Sequence, residues 1–153
     1  MQRKIKFRGK EIDTGKWVYG GLFKEPAPPQ CFEKTLEDKY WIVYPDPRYM
    51  PDWNLPYKMV RTDVEKDTVG QYTGLKDKNG NEIYEGDIVF IKGETKLLDI
   101  TGKVEYSNIL AQFIITNTGS IVNEAEPLGD YEEEDIEIIG NGFDNPELLE
   151  EGE

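Results

Sequence analysis

The chain contains no histidine and one cysteine, Cys31. Without imidazole it lacks the usual general base near neutral pH and any zinc site that depends on one. A lone thiol closes no intramolecular disulfide and builds no multi-cysteine zinc or iron–sulfur site, and as a nucleophile Cys31 would lack a histidine partner. It gives no sign of an oxidising compartment. No apolar run approaches the roughly 18 residues of a membrane-spanning helix. The basic start, MQRKIKFRGK, is not followed by the apolar stretch of a secretory signal. Neither G-x-x-x-x-G-K-[ST] nor G-x-G-x-x-G behind a strand occurs. The expectation is a soluble, cytoplasmic, non-enzymatic protein with no cofactor, no catalytic residue and no metal. A carboxylate-only magnesium site would need few ligands, but the acids show no helpful spacing.

Positive charge is scarce and uneven. Residues 1–60 hold 11 Lys/Arg against 8 Asp/Glu, whereas residues 61–153 hold 7 against 23. From Glu124 onward there are 13 acids and no base, and the chain's net charge is −13. Such a field repels nucleic acid unless it imitates it, so nucleic acid is not expected as a partner. The acidic second half reads first as a solvated surface. The alternative is an acidic DNA mimic, or a nucleic-acid-associated protein acting on host DNA-binding proteins.

What the chain does have is aromatic side chains, 18 in 153 residues, nine of them Tyr. That argues against wholesale disorder and for strands. The length suits one domain or two small ones and is enough for a core without staples. The pattern predicts a mainly β (α+β) protein. An N-terminal β region with Pro/aromatic-rich loops spans residues 1–70. A C-terminal region, residues 71–153, forms a small SH3-like β-barrel or curled sheet with a short terminal helix. The two parts are separated by no flexible linker and could form one compact unit.

In KIKFR, Ile5 and Phe7 share one face and Lys4, Lys6 and Arg8 the other, the period of two of a half-buried strand. Asp13–Lys16 reads as a turn, and KWVYGGLF as the returning strand of a hairpin. EPAPPQ, residues 25–30, breaks regular structure. Phe32 and Leu36 allow one short helix. YWIVY, residues 40–44, reads as a buried strand, and PDPRYMPDWNLP, residues 45–56, as a loop. Residues 60–74 read as short extended pieces. Further strands are expected at 88–91, 102–106, 111–116, from Ile121-Val122, and at 135–140. Asn145 and Pro146 then open one or two helical turns in NPELLEE.

GLKDKNGNEIYEGDIVF, residues 74–90, admits three readings. Asp77, Asn79 and Asn81 match the first ligands of an EF-hand loop, but Glu82 stands where Gly is needed and Ile88 where the bidentate Glu is needed. Glu85 and Asp87 are two apart, yet nothing in the sequence splits their pKa values as acid/base catalysis requires. The third reading is structural. Asn79-Gly80 favours a type I′ hairpin turn between Thr73–Lys78 and Asn81–Tyr84, and Tyr84–Asp87 turns the chain into the next strand.

VGQYTGLKDKNGNEIYEGDIV, residues 69–89, closely resembles the signature of the YopX-like proteins of bacteriophages and prophages. The N-terminal IKFRGKEIDTGKWVYGGL and the C-terminal IEIIGNGFDNPELL are similar to the two ends of that family. The resemblance implies a phage or prophage accessory protein from a bacterial host, mainly β with some α. It carries no catalytic residue or cofactor to any position here.

Two binding surfaces stand out. Residues 40–57 hold six aromatics and four prolines. A stiff loop displaying Tyr49, Trp53 and Tyr57 suits a protein partner, because these side chains offer contact area at low entropy cost. The competing reading packs Trp41, Tyr44, Trp53 and Tyr57 under the loop. The second surface is basic: beside Arg3, the side chains of Lys4, Lys6 and Arg8 would give one cationic strand face that could bind nucleic acid, or that simply keeps an edge strand soluble. Short open sheets also leave edges that symmetric pairing covers, so a homo-oligomer is a further expectation.

Overall fold

The computed structural model describes residues 4–28, 37–48, 58–95, 99–117 and 125–149. The chain is mainly β, with antiparallel strands and only short 3-10 turns among the described residues. It divides into two compact units. One runs from Ile5 to Gln71; the other comprises Lys4 and the residues from Tyr72 onward.

The N-terminal unit contains β1 (Phe7–Lys10), β2 (Trp17–Glu25), β3 (Lys39–Pro45), β4 (Met59–Val64) and the start of β5 (Gly70–Lys76), in the order β4-β3-β2-β1-β5. The β1–β2 turn is closed by the Glu11 N–H on the Lys16 carbonyl at 2.9 Å and the Gly15 N–H on the Glu11 carbonyl at 2.8 Å, with Gly15 at φ +66°. The first strand begins at Phe7 rather than Lys4. From Phe7 onward the backbone finds β2 on one side and, at Phe7 and Arg8, β5 on the other. Ile5, before it, is 67% exposed.

Beyond β1 the chain is tied to β4. Glu11 bridges Val64, the Ile12 N–H donates to the Asp63 carbonyl, and the Glu65 N–H donates to the Lys10 carbonyl. The inner face holds Ile42 and Val64, both buried, and Thr62, whose hydroxyl hydrogen-bonds the Tyr44 hydroxyl at 3.1 Å. Close approach sets the sequence here. A Cβ on Gly20 would stand 2.2 Å from the Val43 carbonyl oxygen, which is backbone and cannot swing away.

The C-terminal unit takes the rest of β5, paired with β6 (Glu82–Tyr84), and a five-stranded sheet. The sheet's strands are β7 (Asp87–Ile91), β8 (Ile100–Ser107), β9 (Gln112–Asn117), β10 (Ala125–Pro127) and β11 (Ile136–Asn141), in the order β10-β9-β8-β7-β11. Ile83, Val89, Ile91, Ile100, Val104, Ile115, Leu128 and Ile136 form its buried core. In β7, Ile88 is buried as completely as Val89, so both sides of that strand are covered.

Two expectations are corrected. The five strands form an open sheet instead of an SH3-like barrel, because among the described residues β10 pairs only with β9 and β11 only with β7. The C-terminal helix is a 3-10 turn over Pro146–Leu149, entered by the Leu148 N–H on the Asn145 carbonyl. Four residues give too few i→i−4 bonds to offset helix nucleation. The short helix read at Phe32–Leu36 and the strand read from Ile121 lie outside the described residues.

Neighbouring glycines in β2 give a test. Gly20→Ala is expected to destabilise the protein by about 1–3 kcal/mol through overpacking. Gly21→Ala, whose Cβ would meet only the Val43 oxygen at 3.9 Å, is expected to be neutral or slightly stabilising. Urea unfolding of the two variants checks the contrast; equal losses would show that the Val43 contact does not govern the strand.

Candidate functional site

The motif at residues 77–87 is assembled by its own carboxylates. Lys78, Asn79 and Gly80 form a three-residue loop: the Gly80 N–H donates to the Asp77 carbonyl at 2.8 Å, and the Asp77 N–H to the Asn81 carbonyl at 2.9 Å. Gly80 has φ +83°, whereas Asn79 stays out of the left-handed region. This is a type I turn closed by a left-handed glycine, not the type I′ turn expected from Asn-Gly.

Asp77 explains the difference. Its buried carboxylate accepts the N–H of Asn79 at 2.9 Å, the N–H of Asn81 at 2.8 Å, the Asn81 side-chain amide at 3.2 Å and the N–H of Ile138 at 3.3 Å. Burial alone would push this carboxyl up, but the donors from Asn81, Ile138 and Asn79 outweigh it and hold the pKa below the ordinary value. Its oxygens are thus committed to N–H groups, and among the described residues no group of three or more Asp, Glu or Cys is placed to hold a metal.

Asp87 is likewise buried and accepts the Tyr84 N–H at 2.8 Å. Between them Gly86 adopts φ +87° and donates its N–H to the Val104 carbonyl. Glu85 and Asp87 frame a turn that launches β7.

Among the N-terminal bases, Lys4 sits in the C-terminal unit. Its ammonium is 2.6 Å from Glu82 and 5.8 Å from the Tyr72 ring centre, and the Glu82 hydrogen bond raises its pKa. Lys6 and Arg8 sit in the N-terminal unit, Lys6 over Tyr19 at 5.4 Å and Arg8 over Trp17 at 4.5 Å. Arg8 is buried, so the three do not form one exposed cationic face. Arg3, Tyr49, Trp53, Tyr57 and Cys31 lie outside the described residues. Trp41 is half-buried, its indole N–H donating to Glu25 at 2.9 Å.

The C-terminal unit carries a feature that sequence reasoning missed. The β8–β9 hairpin ends in Asn108–Ala111, where Ile109 is 96% exposed and Leu110 56%. Ala111 has φ +53°, the one non-glycine residue with positive φ among those described. Beside the tip lies a cavity of about 300 Å³ lined by Thr73, Leu75, Tyr106, Ala111, Phe113 and Leu128, among others. Tyr106 and Phe113 pack edge-to-face, 5.2 Å between centres. The signal in the sequence was two adjacent aliphatic residues in a turn, where polar residues belong.

The Asp77 network sets a measurable pH dependence. The carboxyl's folded pKa lies below its unfolded value, so its contribution is complete above about pH 4 and falls away as the pH drops through the folded value. Asp77→Asn is expected to flatten the loss of stability below about pH 4. Asp77→Ala, which leaves three backbone N–H groups without their acceptor, is expected to cost about 3 kcal/mol or more. Denaturant titrations across pH decide it; an unchanged acid limb in Asp77→Asn would refute the role.

No curated protein matches the chain. Among solved structures it is similar to the crystal structure of protein EF1440 from Enterococcus faecalis, at 19% identity and a TM-score of 0.48, over 97% of this chain and 99% of that one. No helix of the described residues is long and apolar enough to cross a membrane. The family model described as YopX protein matches residues 6–150, nearly the whole sequence, and the chain belongs to the YopX protein family.

Proposed function

We propose that the chain is a non-enzymatic protein-binding module, an accessory protein of a phage or prophage acting in the cytoplasm of a bacterial host. The observation that carries the reading is the tip of the β8–β9 hairpin. An aliphatic side chain at 96% exposure gains nothing for the isolated fold, while burying it against a partner would contribute roughly 1.5–3 kcal/mol. The adjoining cavity, walled by Tyr106, Phe113 and Leu75, offers a complementary place for a partner's apolar side chain. Ala111 supports the same reading, since a left-handed alanine costs roughly 1–2 kcal/mol that a glycine would avoid.

The partner's chemistry follows from charge. Residues 61–153 carry 7 bases against 23 acids, which favours a protein segment presenting an apolar anchor flanked by Lys or Arg. The absence of histidine and the single cysteine support a binding role over a catalytic one.

The test is affinity capture from host cells with the parent chain and with Ile109→Asp. The variant is expected to keep the parent's melting temperature, because Ile109 is solvent-exposed, and to lose the captured protein. Retention of the same protein by Ile109→Asp would refute the assignment of the tip.

A further inference from the structure

In the N-terminal unit, the sheet face turned away from Ile42 and Val64 interleaves rings with cations. On β2, Trp17, Tyr19 and Phe23 fall on one side, with Gly21 in line between the last two. Strand register sets Lys10 beside Trp17, Arg8 beside Tyr19, Trp41 beside Phe23 and Arg61 beside Val43. Tyr19 is 42% exposed and Phe23 52%. Lys6 lies over Tyr19, and both Arg61, at 4.4 Å, and Lys39, at 6.0 Å, lie over Trp41. Among the described residues, register and ring contacts place Lys6, Lys10, Lys39 and Arg61 on this face beside the acids Glu25 and Asp63, while Arg8 is buried.

Gly21 is the telling position. Its φ is not positive, and a Cβ there would meet only one atom at an ordinary 3.9 Å. Neither packing nor backbone conformation demands glycine, unlike at Gly20. A mid-strand glycine weakens a strand and often marks a place where another molecule approaches the backbone. Here it leaves a flat gap between exposed rings.

We propose that this face binds single-stranded nucleic acid. Bases stack on Tyr19, Phe23 and Trp41 and pass over Gly21, and phosphates are taken by Lys6, Lys39 and Arg61. Aromatic rings accept any base face, and surrounding cations follow the backbone. A cation displaced from a ring by a base passes to the adjacent phosphate and keeps a favourable partner. A duplex hides its base faces, and an acidic peptide brings charge without flat rings. The chain's net charge does not forbid it, because residues 5–71 hold 11 bases and 11 acids and the excess of −13 lies outside them. Repulsion from that excess is screened, with a Debye length of about 10 Å at 0.1 M salt.

The experiment is fluorescence anisotropy of a labelled oligothymidylate titrated with the full chain at low salt, with tryptophan emission followed in parallel. Micromolar binding that weakens steeply with salt and quenches tryptophan is expected. Phe23→Ala and Gly21→Val should each weaken it about tenfold or more while leaving the melting temperature unchanged or raised. No binding below about 100 µM would overturn the proposal, since even non-specific association reaches that range. Binding that both variants leave intact, equal affinity for duplex, or equal competition by polyglutamate would also overturn it, the last in favour of an acidic protein ligand. Loss of the Ile109-dependent capture has no bearing on this outcome, because the two surfaces share no residue.

Discussion

The Asp77 carboxylate is the constraint on which the C-terminal unit rests. β11 is an edge strand, and its outward backbone groups would otherwise face solvent or another chain. The Lys78 N–H donates to the Ile136 carbonyl at 2.8 Å, and the Ile138 N–H donates to Asp77. The loop that closes β5 and β6 therefore also covers the open side of β11. The register of β11 on β7 shifts between Ile138 and Gly140, next to the point where the N–H turns to the carboxylate. A bulge and an occupied edge are two devices that discourage edge-to-edge pairing. At the other end, β10 is three residues long and ends in Pro127, which has no N–H to offer. Burying a charged carboxylate is expensive, and only its set of four donors makes it tolerable.

How far all this was legible depends on how local its cause is. The alternation in DIEIIG placed β11 within a residue, because Ile136 and Ile138 must share a face whatever their partners are. Gly80 marked a reversal correctly, since only its left-handed backbone is needed there. The turn type was not legible, because the Asp77 side chain, satisfied partly by Ile138 some 60 residues on, selects the three-residue loop. The start of β1 was hidden for a similar reason. KIKFR alternates perfectly, but pairing begins where β2 and β5 both supply partners. Barrel closure was likewise beyond reach, since strand count says nothing about whether the first and last strands meet. Of the candidate sites, the burial of Arg8 depends on neighbours no window of sequence contains, whereas Ile109-Leu110 stood in plain view as an apolar pair in a turn.

Positions that break local rules without a folding reason separate structure from use in this chain. Gly20, Gly102 and Gly80 break strand or turn preferences, and each has a structural cause: a carbonyl 2.2 Å away, a carbonyl 2.5 Å away, and a left-handed backbone. Gly21, Phe23, Ile109 and Ala111 break comparable rules with no such cause. A sequence selected for stability alone would place a β-branched residue at Gly21, polar residues at Phe23 and Ile109, and glycine at Ala111. The four fall in two groups with different chemistry, rings among cations in the N-terminal unit and aliphatic side chains beside a cavity in the acidic C-terminal unit. A single ligand class would suit one group badly: bases gain little from an aliphatic tip within an acidic surface, and an apolar anchor gains little from lysines poised over rings. The charge division between the units, neutral in one and strongly negative in the other, matches the two different ligand classes proposed for them.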